Sequence, residues 1–170
     1  MSHQTILTYP QRCSGCRRCE IACSKRFAGK VQPSISRIRI LNFNEWLIDI
    51  PLVCSQCEVE EPPCWKVCPK NCFSRDKNTN AVIINPEECI KCGKCVKACP
   101  IGAISLNPET HKAFKCELCI TEDTTSLPPC VKACPSDALE YGYSPFDASE
   151  ESTPEKVALS LTNKLTGGIK

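Results

Sequence analysis

At 170 residues the chain has room for one domain or two small ones, yet it carries only two Trp, three Tyr and five Phe, so a conventional apolar core would be thin and something other than side chains is expected to fill the middle. Seventeen cysteines would suit a disulfide scaffold, but the count is odd, the thiols recur as Cys-x-x-Cys pairs, and "MSHQTILTYPQRC" lacks the charged head and long apolar stretch of a signal peptide. The formal charge of +2 decides little, because it counts every cysteine as neutral. No basic stripe interleaved with aromatics marks the chain for nucleic acid, which is not expected as a partner, and no apolar run approaches the ~18 residues of a membrane span. These features point to a soluble, cytoplasmic, metal-binding chain in a reducing compartment.

In chain order, the first cysteine group is Cys13, Cys16, Cys19 and Cys23 in "CSGCRRCEIACS". Ser24 stands where the later groups have proline, so the first helix is expected to run on. Residues 35–50, "ISRIRILNFNEWLIDI", alternate around "NFNE" and predict a β-hairpin with Ile38 and Ile40 on one face and Arg37 and Arg39 on the other. The second group, "CSQCEVEEPPCWKVCP", holds Cys54, Cys57, Cys64 and Cys68. A turn-rich "DKNTN" leads into a strand at "AVII", 81–84, where Asn80 can take the left-handed turn position that glycine often fills. The third group, "CIKCGKCVKACP", holds Cys89, Cys92, Cys95 and Cys99. The fourth, "CELCITEDTTSLPPCVKACP", holds Cys116, Cys119, Cys130 and Cys134, and a strand at "ALEYGY" follows it. Residues 144–170 change character: an acidic, turn-prone stretch precedes a helix over about 154–165, with Thr153 as its cap and Val157, Leu161 and Leu165 as an apolar stripe. That stripe either folds back on its own domain or docks on another subunit.

Every group ends in Cys-x-x-x-Cys, three of them then add proline, and "CVKACP" occurs twice, so one kind of site is used four times. Cys-x-x-Cys-x-x-Cys lets a loop curl until three sulfurs meet three corners of a cubic [4Fe-4S] cluster. The Cys-x-x-x-Cys step is about one helical turn, a rise of ~6 Å, and it carries the fourth sulfur away from that cluster. In two-cluster ferredoxins such a fourth cysteine ligates the neighbouring cluster. A tetrahedral zinc site has no use for the compact triplet, which sets a zinc scaffold aside. With sixteen thiolates around four cores the holo-protein would carry a net charge near −6. Spacing alone leaves two pairings open: a nested one, first group with fourth and second with third, or a sequential one.

In the second and fourth groups the third cysteine is delayed by insertions ending in Pro62–Pro63 and Pro128–Pro129, which predict a stiff extended approach and an outward loop, either a docking surface or an ordinary one. Cys72 aligns with Ala103 and Ala138 of the other copies and is read as a small buried packing residue, not a ligand. The residues before these three, Asn71, Gly102 and Asp137, all tolerate positive φ and predict a tight turn after each proline. Trp46 and Trp65 are read as packing residues, and His3 and His111 as non-ligands. Arg17, Arg18, Lys91, Lys94, Lys97 and Lys115 lie in or beside the motifs, where positive charge either favours a reduced cluster or is simply solvated.

Residues 5–143 resemble the four-cluster, ferredoxin-like electron-transfer subunits of molybdenum and tungsten pterin oxidoreductases. The resemblance rests on "VCSQCEVEEPPCWKVCP", "NPEECIKCGKCVKACPIGAI" and "KCELC…PPCVKACPSDALEYG". The N-terminal "CSGCRRCEIACS…GKVQPSISRIRI" is most similar to the small subunits of tungsten-dependent aldehyde oxidoreductases and of related aromatic acyl-CoA reductases. The resemblance implies an α+β fold of tandem bacterial ferredoxin-like units, short strands and short helices around four [4Fe-4S] clusters, over 1–143, with a helical tail over 144–170. It also implies nested ligation, with outer motifs 13–23 and 116–134 and inner motifs 54–68 and 89–99. Cys13, Cys16 and Cys19 would join Cys134, and Cys116, Cys119 and Cys130 would join Cys23. Cys54, Cys57 and Cys64 would join Cys99, and Cys89, Cys92 and Cys95 would join Cys68.

The residues contain no nucleophile–base pair, phosphate loop or histidine constellation. The expected role is therefore one-electron transfer without a catalytic site of its own, and the resemblance implies as its partner a large pterin-containing catalytic subunit with tungsten or molybdenum, of the aldehyde oxidoreductase kind. A further acceptor subunit or self-association at the far end of the wire is the expected second contact. The alternatives are a free-standing polyferredoxin and the small subunit of an aromatic acyl-CoA reductase.

Overall fold

The computed structural model describes residues 4–43, 47–119 and 127–143. The expected tail helix, together with His3 and Trp46, lies outside the described residues. Short strands pair antiparallel in four two-stranded sheets: β1 (Gln4–Thr8) with β8 (Leu139–Tyr143), β2 (Ile38–Phe43) with β3 (Ile48–Val53), β4 (Phe73–Arg75) with β5 (Val82–Ile84), and β6 (Ser105–Leu106) with β7 (Ala113–Phe114). The expected hairpin is present but shifted, because Pro33 opens a short 3-10 turn over Pro33–Ile35 and the strand begins only at Ile38. Ile38 and Ile40 are buried as the alternation requires.

Four helices follow the motifs: α1 (Arg18–Ala28), α2 (Pro63–Lys66), α3 (Lys94–Ala98) and α4 (Pro129–Lys132). The last three stop just before the fourth cysteine of their motif, two or three residues ahead of Pro69, Pro100 and Pro135. α1 has Ser24 instead and runs eleven residues, to Gly29 at φ 69°. Ser24 is fully buried; its Oγ donates to Ile21 O (3.0 Å) and accepts from Gln32 N (3.2 Å), so the serine both permits the longer helix and ties down the returning chain. Only the first proline of each Pro-Pro pair is extended (Pro62 φ −58°, ψ 157°; Pro128 φ −53°, ψ 138°). Pro63 and Pro129 instead occupy the first helical position, where a missing N–H costs nothing. The six-residue insertion before Cys64 is clasped rather than free: the Arg75 guanidinium donates to Cys57 O (2.9 Å) and Val59 O (2.5 Å).

α1 packs on α4 and α2 on α3, so the helices of the first and fourth motifs meet, as do those of the second and third. The 76–80 and 107–111 turns share one geometry. Asp76 and Asn107 accept N–H groups two and three residues on, and Asn80 and His111 sit at φ 57°. His111 is thus an exposed turn residue.

Candidate metal centres

Each motif loop has a left-handed residue at the second position after its first cysteine: Gly15 (φ 66°), Gln56 (φ 56°), Lys91 (φ 63°) and Leu118 (φ 57°); Arg17, Gly93 and Cys119 add a second in the first, third and fourth loops. Three of the four are not glycine, a conformation costing about 1–3 kcal/mol each unless the surroundings impose it. At Gly15 glycine is required twice over, because the Asp49 carboxylate occupies the place a Cβ would take. The turn aims backbone N–H groups at sulfur: Leu118 N donates to Cys116 Sγ (3.4 Å). A second set comes from the turn after each proline, where Asn71, Gly102 and Asp137 have φ of 49°, 65° and 48°. There Ala103 N reaches Cys99 Sγ and Ala138 N reaches Cys134 Sγ, both at 3.3 Å.

The folded chain gathers the cysteines across motifs. Cys13, Cys16, Cys19 and Cys134 line a hollow of about 280 Å³, counting space open to solvent at its mouth, with Ile40, Ala138 and Leu139. Cys54, Cys57, Cys64 and Cys99 line one of about 380 Å³ with Val82, Ile101 and Ile104. Cys68, Cys89, Cys92 and Cys95 line one of about 340 Å³ with Phe73, Ile84 and Ala113. Cys23, whose Sγ accepts Arg37 N at 3.2 Å, lies near enough to Cys119 and Cys130 to raise both thiols, and Cys116 adjoins Cys130. Cysteines of one motif thus lie beside the fourth cysteine of another at each of these four places.

Burial pushes these thiols up: Cys19, Cys64 and Cys116 to about 12 and Cys119 to about 11, with Cys130 raised furthest by burial and by the neighbouring Cys116 and Cys23. Thiols this reluctant to ionise become thiolates when a cationic core compensates them. A mononuclear ion needs its sulfurs within about 4 Å of each other, given metal–sulfur bonds near 2.3 Å. Among the described residues no three His, Cys, Asp or Glu side chains converge so closely. Sulfurs spread around apolar walls, each motif also supplying N–H donors, fit a polynuclear cluster.

Two features escaped the sequence reading. Cys72 is buried as expected, but it lines the same hollow as Cys68, Cys89, Cys92 and Cys95, and its thiol is hydrogen-bonded to Cys68. Burial raises Cys68, and N–H groups of Cys72, Lys70 and Asn71 outweigh this and leave it below the ordinary thiol value. The alignment with alanines shows that position 72 is small and says nothing of what faces it. Gln56, a fully buried polar residue, was not singled out at all, and nothing in the sequence set Lys115, equally buried, apart from the other basic residues beside the motifs.

Known proteins bear on the same residues. The family profile described as a 4Fe-4S dicluster domain matches residues 45–144. The chain belongs to this family. The dicluster-family chain is 36% identical over 168 residues to the polyferredoxin-like subunit of aliphatic sulfonate oxidoreductase from Pyrococcus furiosus, covering 95% of this chain and 92% of that one. It is 32% identical to the thiosulfate reductase electron transfer subunit PhsB of Salmonella typhi, over 84% of this chain and 77% of the relative. Among solved structures it matches a chain of the BamBC active site complex of benzoyl coenzyme A reductase at a TM-score of 0.51 and 21% identity, over 99% of this chain and 93% of that one, a likeness of fold. The chain is an iron–sulfur protein of the electron-transfer class. Among the described residues no helix is long and apolar enough to cross a membrane.

Proposed function

We propose that this chain is the electron-transfer subunit of an oxidoreductase complex and holds four [4Fe-4S] clusters, ligated by the four cross-motif quartets. The observation that carries the reading is that three hollows are each walled by three cysteines of one motif and the fourth of another, while Cys23 of the first motif lies beside Cys119 and Cys130 of the fourth. Such clusters, when bound, supply one-electron chemistry without proton transfer by the protein.

The chain's own contribution is to order and insulate the sites. The Cys13 quartet adjoins the Cys116 quartet, since Cys19 lies near enough to Cys130 to raise it. The Cys116 quartet adjoins the Cys54 quartet through the Cys116–Cys54 approach. The Cys54 quartet adjoins the Cys68 quartet through α2 and α3, with Cys64 and Cys95 in one apolar cluster. The four form a series with two ends. N–H donors to sulfur and apolar walls set how readily each site accepts an electron.

The catalytic partner in this proposal is a large pterin-containing subunit with tungsten or molybdenum, of the aldehyde oxidoreductase kind, supported by the N-terminal motif "CSGCRRCEIACS". Relatives named as subunits of sulfonate oxidoreductase and thiosulfate reductase support a fixed complex over a free polyferredoxin. The test is anaerobic purification of the tagged chain from its native host. About sixteen irons with matching sulfide, and a co-purifying large subunit carrying tungsten or molybdenum, are expected. A colourless chain holding a few zincs would overturn the cluster reading, and an iron-loaded chain that never retains a large subunit would overturn the complex.

A further inference from the structure

Among the basic residues in or beside the motifs, Arg17, Arg18, Lys91, Lys94 and Lys97 are exposed. Lys115 is not: it is 1% exposed, and it heads the largest fully buried side chains of the described chain. Its Nζ donates to Gln56 Oε1 (3.2 Å), to Cys116 O (2.9 Å) and to Val82 O. Three acceptors match the three N–H donors of an ammonium, where a neutral amine would have two. All three are uncharged oxygens, so they solvate the cation without neutralising it.

Gln56 completes the node. Fully buried in its strained left-handed turn, it donates from Nε2 to Cys116 O (2.8 Å) and accepts Val82 N at Oε1 (2.9 Å). The node therefore ties the Cys54–Cys57 loop to the residue preceding Cys116–Cys119, that is, one middle quartet to the other. Lys115 and Gln56 both line the Cys54, Cys57, Cys64 and Cys99 hollow. Burying an ammonium among neutral groups costs several kcal/mol unless an anion faces it. A 2+ core held by four thiolates carries a net charge of about −2, and one more negative charge when reduced.

We propose that Lys115, held by Gln56, is the shared counter-charge of the two middle clusters and makes both easier to reduce than they would otherwise be. This rests on the ligation proposed above. Lys115 also opposes the upward push of burial on Cys64 and Cys116, one sulfur from each middle quartet. By contrast the buried acid at the chain's other end, Glu20, is spoken for: it accepts Ile40 N (2.7 Å) and pairs with Arg17 (3.4 Å) beside Cys19. Charge thus separates the middle of the series from its end.

The experiment is a potentiometric titration, followed by EPR, of anaerobically prepared holo-protein. Wild type is compared with Lys115→Met, which keeps the stem, and Lys115→Gln, whose amide retains two N–H donors for the carbonyls. In either variant that loads four clusters, two of the four are expected to move to lower potential. The reduced-to-oxidised ratio at a fixed poise should fall at least tenfold, about 59 mV for one electron, with the other two moving less than threefold. Unmoved potentials, an equal shift of all four, or failure of both variants to load would each overturn the assignment, the last by making the node purely structural. A wild type without iron would sink the ligation itself. A wild type with four clusters and unshifted variants would sink this inference alone.

Discussion

The two ends of the cysteine series differ from its middle in one respect. Cys16 and Cys92, one in each terminal quartet, are exposed, whereas neither middle quartet has an exposed cysteine and Cys23, Cys54, Cys64, Cys116 and Cys130 are buried. The loops around the terminal cysteines are also bare of cover: Arg17, Arg18, Lys91 and Lys94 face solvent. The middle instead has a buried cation, the Gln56 node, and two chain segments crossing it. In the proposed ligation, terminal sites would serve exchange with partners and middle sites transit between them. An electron can leave only where a donor or acceptor can come close, and potentials follow local charge and exposure.

The strongest way to break this comparison is to remove a middle ligand. Cys130→Ala should reduce the iron content from about sixteen to about twelve. Transfer from one end of the series to the other should slow on the order of 100-fold, as stopped-flow reduction of the partner subunit would record. Full throughput would mean that electrons bypass the middle. Cys16→Ala should be milder: one terminal cluster is lost or degraded, while three remain reducible by a small artificial donor. Loss of all EPR signals would show that the ends hold up the middle rather than merely serve it.

Arg37→Ala sharpens the middle further. Its guanidinium lies 3.5 Å over the Phe27 ring and 2.5 Å from Glu117, while its backbone N–H on Cys23 Sγ survives the substitution. A cost of about 1–2 kcal/mol is expected. Read as thermal loss of cluster absorbance, that is roughly 2–6 °C in Tm; a potential shift without a stability loss would contradict the packing role. The smallest effect belongs to Cys72→Ala. Four clusters should remain, with only the Cys68 quartet's potential lowered because one hydrogen bond to sulfur is gone. A quarter of the iron missing would instead make Cys72 a ligand.

Much of the site was legible in the sequence because its chemistry is local. Cys-x-x-x-Cys spans one helical turn wherever it occurs, and proline ends that turn by sterics. Ser24 in place of proline was enough to foretell the longer α1, and Asn80 to foretell a left-handed turn. Gln56 and Leu118 were not legible, since neither residue type favours positive φ. Their conformation is imposed by the sulfurs on either side and by the contacts that hold the loop. The Pro-Pro steps were half legible: the proline φ serves extended chain and helix start alike, and only the following helix decides between them.

The sequence by itself determined the ligand type, the number of motifs and the three-plus-one division of each, because spacing along a helix or tight turn limits which sulfurs can share a centre. Tertiary structure alone decided which motifs lie together, through the packing of α1 on α4 and α2 on α3. It also took Lys115 out of solvent and left Arg17, Arg18, Lys91, Lys94 and Lys97 in it. Both decisions depend on contacts between residues far apart in the chain, 59 positions for Lys115 and Gln56, and pairing at that range is set by the global packing of the chain rather than by any local pattern.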